Sequence, residues 1–168
     1  LSVPYDKISE ALTTWEPRNN RSQWMAHRGH GVVLDAYNAN PDSMQAALGH
    51  FGRMDHPHKA LLLGEMLELG EHSEYEHRFL LENLLRDPWG VCCLVGEAFW
   101  NLRAEFPTFH FFERAEDLHR FLGASRWPAS AVLVKGSRGN AMEQYLDSLP
   151  WADPKTGQEG TRSTTSGN

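Results

Sequence analysis

A chain of 168 residues that is 40% hydrophobic and 23% charged has enough apolar side chain for one core and enough charge to stay dissolved. Its formal charge of −6, with no long Lys/Arg run to offset it, argues against nucleic acid as the main partner. No apolar stretch approaches the ~20 residues that span a bilayer, and no basic-then-apolar leader opens the chain, so neither membrane insertion nor a secretory signal is expected.

In chain order, Tyr5–Trp15 carries apolar residues at helical spacing, and Pro17 ends the run. The chain opens at Leu1 on sequence that already reads as folded, the expected mark of a cut inside a larger protein. Ser22–Arg28 and Gly31–Tyr37, around Gly29-His30-Gly31, read as a β-hairpin. An alternation of short apolar strands and amphipathic helices then begins. Val32–Leu34 is the first buried strand. Asn40-Pro41-Asp42-Ser43 opens a helix, with Asn40 as N-cap, Pro41 at the first helical position and Asp42 near the positive helix end. Met44, Ala47, Leu48, Phe51 and Met54 form its apolar face. Ala60–Leu63 is a strand stopped by Gly64. Ser73-x-x-Glu76 reads as a capping box, opening a helix with Phe79, Leu80, Leu84 and Leu85 inward. Strands over Val91–Val95, Phe109–Phe112 and Ala131–Val134 alternate with helices over Glu97–Glu105, Ala115–Leu122 and Asn140–Leu149.

This alternation predicts an α/β fold of the Rossmann-like kind: a mostly parallel sheet of about six strands, helices on both faces and the hairpin at one edge. Residues 151–168 turn to Gly, Ser, Thr and charge without apolar periodicity and read as a disordered tail. The adjacent Cys92 and Cys93 point to opposite faces of a strand and read as buried thiols of a reducing compartment. The nine histidines show no metal-ligand spacing, so no metal site is expected.

Ligands of an open α/β sheet bind at the carboxyl ends of its strands, near helix N-termini. Three polar stretches fall there: Asp35–Met44, Gly64–Gly70 and Lys135–Gly139. Asp35 can accept hydrogen bonds from a ribose diol, or serve as a cap or ion-pair partner. Asn38 and Asn40 are turn formers, and Tyr37 suits either a core or a ligand. Lys135-Gly-Ser137-Arg138-Gly offers two cations, a hydroxyl and bare N–H groups, which suit a carboxylate or phosphate; Ser137 as a helix cap is the plainer reading. Glu65 or Glu68 can hold a substrate ammonium, although Glu68 also fits a surface role. No GxxxxGK[ST] phosphate loop and no GxSxG elbow is present.

DAYNANPDSM (35–44), LLLGEMLELGEHSEYEH (61–77) and VLVKGSRG (132–139), in this order and spacing, resemble the C-terminal domain of the Mur ligase family, in particular its D-alanyl-D-alanine-adding branch. Asn20-Arg21-Ser22-Gln23 looks like that family's way into the domain, and the helix before it like the tail of the central ATPase domain. The resemblance implies three segments: 1–20, the end of the central domain and linker; 21–150, the Mur ligase C-terminal domain; and 151–168, the tail. It implies an ATP-dependent acid–amino-acid ligase of the peptidoglycan pathway, cytoplasmic and bacterial, joining D-Ala-D-Ala to UDP-N-acetylmuramoyl-tripeptide through an acyl phosphate. ATP and Mg²⁺ are held mainly by the central domain in that family. The partners implied are the N-terminal and central domains, with no nucleic acid and no membrane. No catalytic residue is expected in this chain, which is expected to be inactive alone.

Residue by residue, the resemblance gives Arg21, Asp35, Tyr37, Asn38 and Asn40 to the nucleotide side. It gives Lys135, Ser137, Arg138 and Glu65 to the dipeptide. The alternatives are a sibling ligase with the same closing domain, another Mur enzyme or a folylpolyglutamate synthase, and a non-catalytic binding module.

Overall fold

The computed structural model describes residues 20–151. The expected helix at Tyr5–Trp15, most of the 1–20 segment and residues 152–168 of the expected tail lie outside that range.

A six-stranded sheet runs in the order β1-β2-β6-β3-β4-β5. Its strands are β1 (Gln23–His27), β2 (His30–Asp35), β3 (Lys59–Gly64), β4 (Val91–Val95), β5 (His110–Phe112) and β6 (Ala131–Lys135). β1 pairs antiparallel to β2, and every other pairing is parallel. Arg28 and Gly29 join β1 to β2 with φ of 49° and 83°. Two positive φ values make the tight turn whose twist suits a hairpin, and Gly29 adopts its value without steric cost.

The helices are α1 (Pro41–Arg53), α2 (Ser73–Leu84), α3 (Glu97–Leu102) and α4 (Ala115–Ala124). Parallel strands covered on both faces must be apolar at successive positions, not alternate ones. β3, β4 and β6 accordingly bury nearly every residue. Side-chain alternation splits the core in two. Leu61, Leu63, Cys92, Leu94 and Leu133 pack with residues of α1, α2 and α3. Leu62, Cys93, Val95, Val132 and Val134 pack with α4 and the segment Met142–Leu149. Cys92 and Cys93 therefore face opposite layers, both as free thiols. Burial raises both thiols above the ordinary range.

Several elements differ from expectation. The reciprocal capping box belongs to α1, where Asn40 Oδ1 accepts from Ser43 N and Ser43 Oγ accepts from Asn40 N. At α2, a 3₁₀ turn over Gly70–His72 runs into the helix, and His72 at the cap position makes no side-chain bond. Phe79 and Leu85 lie 37% and 53% exposed, while His77 and Leu81 are buried. α3 stops at Leu102, short of Glu105. The last expected helix is a 3₁₀ segment over Met142–Ser148, because Ala141 at φ 45° breaks the regular path. Trp151, assigned to the tail, is packed: its ring stacks on His30 with centroids 4.3 Å apart.

Candidate functional site

The chain leaves β2, builds β3, β4 and β5 outward, then returns to lay β6 between β2 and β3. At such a reversal, loops diverge from neighbouring carboxyl ends and leave a crevice. The three polar stretches meet there.

Register sets the first contact. Asp35 and Lys135 are paired residues of β2 and β6. Lys135 Nζ donates to Asp35 Oδ2 at 2.7 Å and to the Asn38 carbonyl at 3.1 Å. Its side chain is 1% exposed and that of Asp35 15%. Ser22 N donates to the other carboxylate oxygen at 3.1 Å. A lysine this deep is stable only with its charge matched; Asp35 at the end of β2 supplies the countercharge and the loop that follows supplies the Asn38 carbonyl.

Ser137 makes the second tie. Its hydroxyl accepts from Leu67 N at 2.9 Å and donates to the Ala39 carbonyl at 3.4 Å. Its own N–H donates to the Glu65 carbonyl at 3.4 Å. The loops after β2, β3 and β6 are thus tied through one buried hydroxyl. Gly136 lets them approach, since a Cβ there would lie 3.0 Å from Gly64 Cα.

An open cleft of about 680 Å³ lies beside these ties, lined by Asn20, Tyr37, Asn38, Glu68 and Arg138. Arg21 Cζ sits 3.7 Å above the Tyr37 ring, a stacking that holds the guanidinium at the rim. Of the three residues expected to take up a carboxylate, only Arg138 presents its group to this cleft. Its side chain is 66% exposed and lies 3.4 Å from Glu143. Lys135 and Ser137 turn inward. Asn40 is committed to its helix cap, and Asn38 Oδ1 accepts from Ala39 N.

Glu65 stands apart from the main cleft. Its Oε2 accepts from Ala98 N in the first turn of α3 at 2.9 Å, and the residue lines a second hollow of about 400 Å³ with Glu113, Gly139 and Gln144. Gly96, at φ 125°, makes room for it, because a Cβ there would fall 2.5 Å from Glu65 Cδ. Glu68 at φ 69° takes a left-handed turn that aims its residue at the cleft. A hollow of about 600 Å³ around Arg28, His30, Arg126 and Trp151 lies at the amino-terminal ends of β2 and β6, away from all three loops.

Sequence reasoning missed His77. It is fully buried and accepts from Met66 N through Nε2 at 2.9 Å, at the root of the loop after β3. The available signal was a polar residue inside the i, i+3, i+4 stripe of α2.

The family model described as the Mur ligase glutamate ligase domain matches residues 20–138. UDP-N-acetylmuramoyl-tripeptide–D-alanyl-D-alanine ligase of Rickettsia prowazekii is 32% identical over 119 residues, which cover 69% of this chain and 26% of that protein. The crystal structure of MurF from Acinetobacter baumannii superposes with a TM-score of 0.74 at 26% identity, over 88% of this chain and 33% of that one. MurF ligase from Thermotoga maritima, solved in complex with ADP, shares the fold with a TM-score of 0.65 at 24% identity, over 83% of this chain and 32% of that one. The chain spans about a third or less of the length of these relatives.

Proposed function

This chain belongs to the Mur ligase family, and from that premise we propose that it is the C-terminal closing domain of an ATP-dependent ligase that joins D-Ala-D-Ala to UDP-N-acetylmuramoyl-tripeptide. One observation supports this reading above the rest. The three loops with the family's motifs meet at the strand reversal, and their buried ties leave Tyr37, Asn38, Glu68 and Arg138 facing one open cleft. The names of the similar ligases point to the substrates.

In the proposed reaction, the terminal carboxylate of the tripeptide attacks the γ-phosphorus of ATP, giving an acyl phosphate and ADP. The free amine of D-Ala-D-Ala attacks the acyl carbon. The tetrahedral intermediate expels phosphate, and the amine's proton passes to base or solvent. This chain's contribution is binding and orientation, which make the amine's attack effectively unimolecular. Among the described residues each Asp35 oxygen takes one hydrogen bond, and each keeps a further lone pair with which it can accept one from a ribose hydroxyl. Arg21, Tyr37 and Asn38 line the nucleotide side, and Asn40 acts through the α1 cap. Arg138 takes the dipeptide carboxylate, with Lys135 and Ser137 setting the turn that presents it. Glu65 serves the amine side from the second hollow.

Among the described residues no three His, Cys, Asp or Glu side chains gather as metal ligands would. We assign the Mg²⁺ that accompanies ATP to the central domain, as the family resemblance implies. Residues 1–20 are read as the end of that domain and 21–150 as the closing domain. The compartment that goes with this reading is the cytoplasm, in keeping with two buried free thiols. Among the described residues no helix is long and apolar enough to cross a membrane.

The test is phosphate release by the full-length ligase carrying this domain, supplied with ATP and UDP-N-acetylmuramoyl-tripeptide. D-Ala-D-Ala is expected to drive release, and free D-Glu or diaminopimelate is not. Equal use of either competitor overturns the dipeptide assignment. The chain alone is expected to release none, because it has no phosphate loop.

A further inference from the structure

Of the four buried residues of α2, three are leucines and the fourth is His77. Its ring is held on every side. Nδ1 lies 2.7 Å from the Ser73 carbonyl, and Met66 N donates to Nε2 at 2.9 Å. A carbonyl only accepts, so Nδ1 bears the hydrogen and Nε2 is bare, which makes the ring neutral. From α3, Phe99 packs edge-on with ring centroids 4.7 Å apart.

The contact continues outward. The next N–H along the chain, that of Leu67, donates to Ser137 Oγ, and Ser137 Oγ donates to the Ala39 carbonyl. Hydrogen bonds on the adjacent N–H groups of Met66 and Leu67, joined by one peptide link, therefore connect a buried imidazole to the loops after β3, β6 and β2. We propose that His77 is a positioning residue of the ligase site: its bare Nε2 fixes the loop after β3, and through Ser137 it fixes the turn that presents Arg138. The kinetic part of this proposal rests on the ligase reading above, whereas the geometric part does not.

A proton on Nε2 would set two donors head to head, His77 against Met66, and release the loop. The charged groups that reach the ring are Glu65, from the loop it holds, and Glu76, on its own helix. Both favour that proton. Burial disfavours it more strongly, so the imidazole titrates below its ordinary 6.5.

Two measurements test this. In the ¹⁵N-labelled chain, long-range ¹H–¹⁵N correlation is followed from pH 8 to about 5, the ordinary window of histidine. The expected result is a hydrogen on Nδ1, a bare Nε2, and joint movement of the Met66, Leu67 and Ser137 amides as His77 protonates below its ordinary value. An Nε2–H tautomer, or Leu67 and Ser137 amides that stay still while His77 titrates, overturns the proposal. In the full-length ligase, His77→Gln places an acceptor where Nε2 was, and His77→Asn reaches only the Nδ1 position. His77→Asn should raise the KM for D-Ala-D-Ala on the order of tenfold, as expected for a buried N–H left unpaired, and shift the acid limb of the pH profile. His77→Gln should restore most of it. Equal losses in both, tracking equal falls in melting temperature, mean that the ring is core packing and nothing more. If the unmutated ligase does not use D-Ala-D-Ala, the functional reading falls, and the spectroscopic result alone decides the role of His77.

Discussion

Lys135→Met removes the charge at the centre of the cleft's framework while keeping the length and apolar stem of the side chain. The lysine makes an ion pair with Asp35 and a hydrogen bond to the Asn38 carbonyl at 1% exposure. Breaking one side of a buried pair generally costs about 3–5 kcal/mol, most of it from the charge left behind. Asp35 remains 15% exposed and keeps the Ser22 N–H, so the lower end applies, about 3 kcal/mol. For a chain of this size each kcal/mol moves the midpoint by roughly 2–4 °C, so the melt should fall by about 6–12 °C. The assay is calorimetry at neutral pH on the unmutated chain, Lys135→Met, Asp35→Asn and the double variant. Because the harm comes from an unpartnered charge, the double variant should recover much of the loss, with a coupling of about 2 kcal/mol in the cycle. A single variant melting within about 2 °C of the parent, or a double variant showing the plain sum of the two losses, refutes the reasoning.

In the full-length ligase, Arg138→Ala should raise the KM for D-Ala-D-Ala about tenfold to a hundredfold and leave the KM for ATP nearly unchanged; equal shifts in both would remove Arg138 from the dipeptide side. Steady-state kinetics should show Asp35→Asn raising the KM for ATP and Arg21→Ala lowering kcat, if the arginine leaves the Tyr37 ring to meet charge only on closure; unchanged constants in both would end the nucleotide assignment. Acid should weaken the fold through His77. Above pH 6.5 its ring is neutral folded or unfolded, and below that value the unfolded chain takes up a proton the folded chain resists, so stability falls by at most about 1.4 kcal/mol per pH unit from this group. Urea melts of His77→Gln should show a shallower acid loss than the parent, and parallel pH curves would contradict this.

The alternation of elements was readable because β3, β4 and β6 are covered on both faces and so carry unbroken apolar runs, ALLL, VCCLV and AVLV. Asn40-Pro41 announced α1 for a local reason: cap and ring geometry act within one turn. Misread features depend on distant packing. Phe79 looked inward by hydrophobicity, yet it stacks on Tyr75 at the surface while His77 holds the buried stripe. The helix expected after Asn140 fails at a single left-handed residue, Ala141, whose φ no local pattern announces. The site divides likewise. Its three loops were visible as polar excess at strand ends. Which cations stay free was not visible, because Lys135 meets Asp35 only through a strand register formed across 100 residues.

The order in which the sheet is filled has a consequence for how the molecule is made. β6 is the last of the described strands to leave the ribosome, yet it sits between β2 and β3. Until Ala131–Lys135 emerges, the hairpin and the β3-β4-β5 block have no strand to join them, and Val33, Leu61 and Leu63 lack the neighbour that Leu133 supplies. Closing a pairing across some hundred residues is entropically slow, so the nascent chain presents open strand edges at β2 and β3 until β6 is made. A stop codon between Phe112 and Ala131 would therefore yield two half-sheets exposing sticky edges, prone to aggregation and to capture by chaperones, whereas trimming behind Trp151 would leave the six described strands in place.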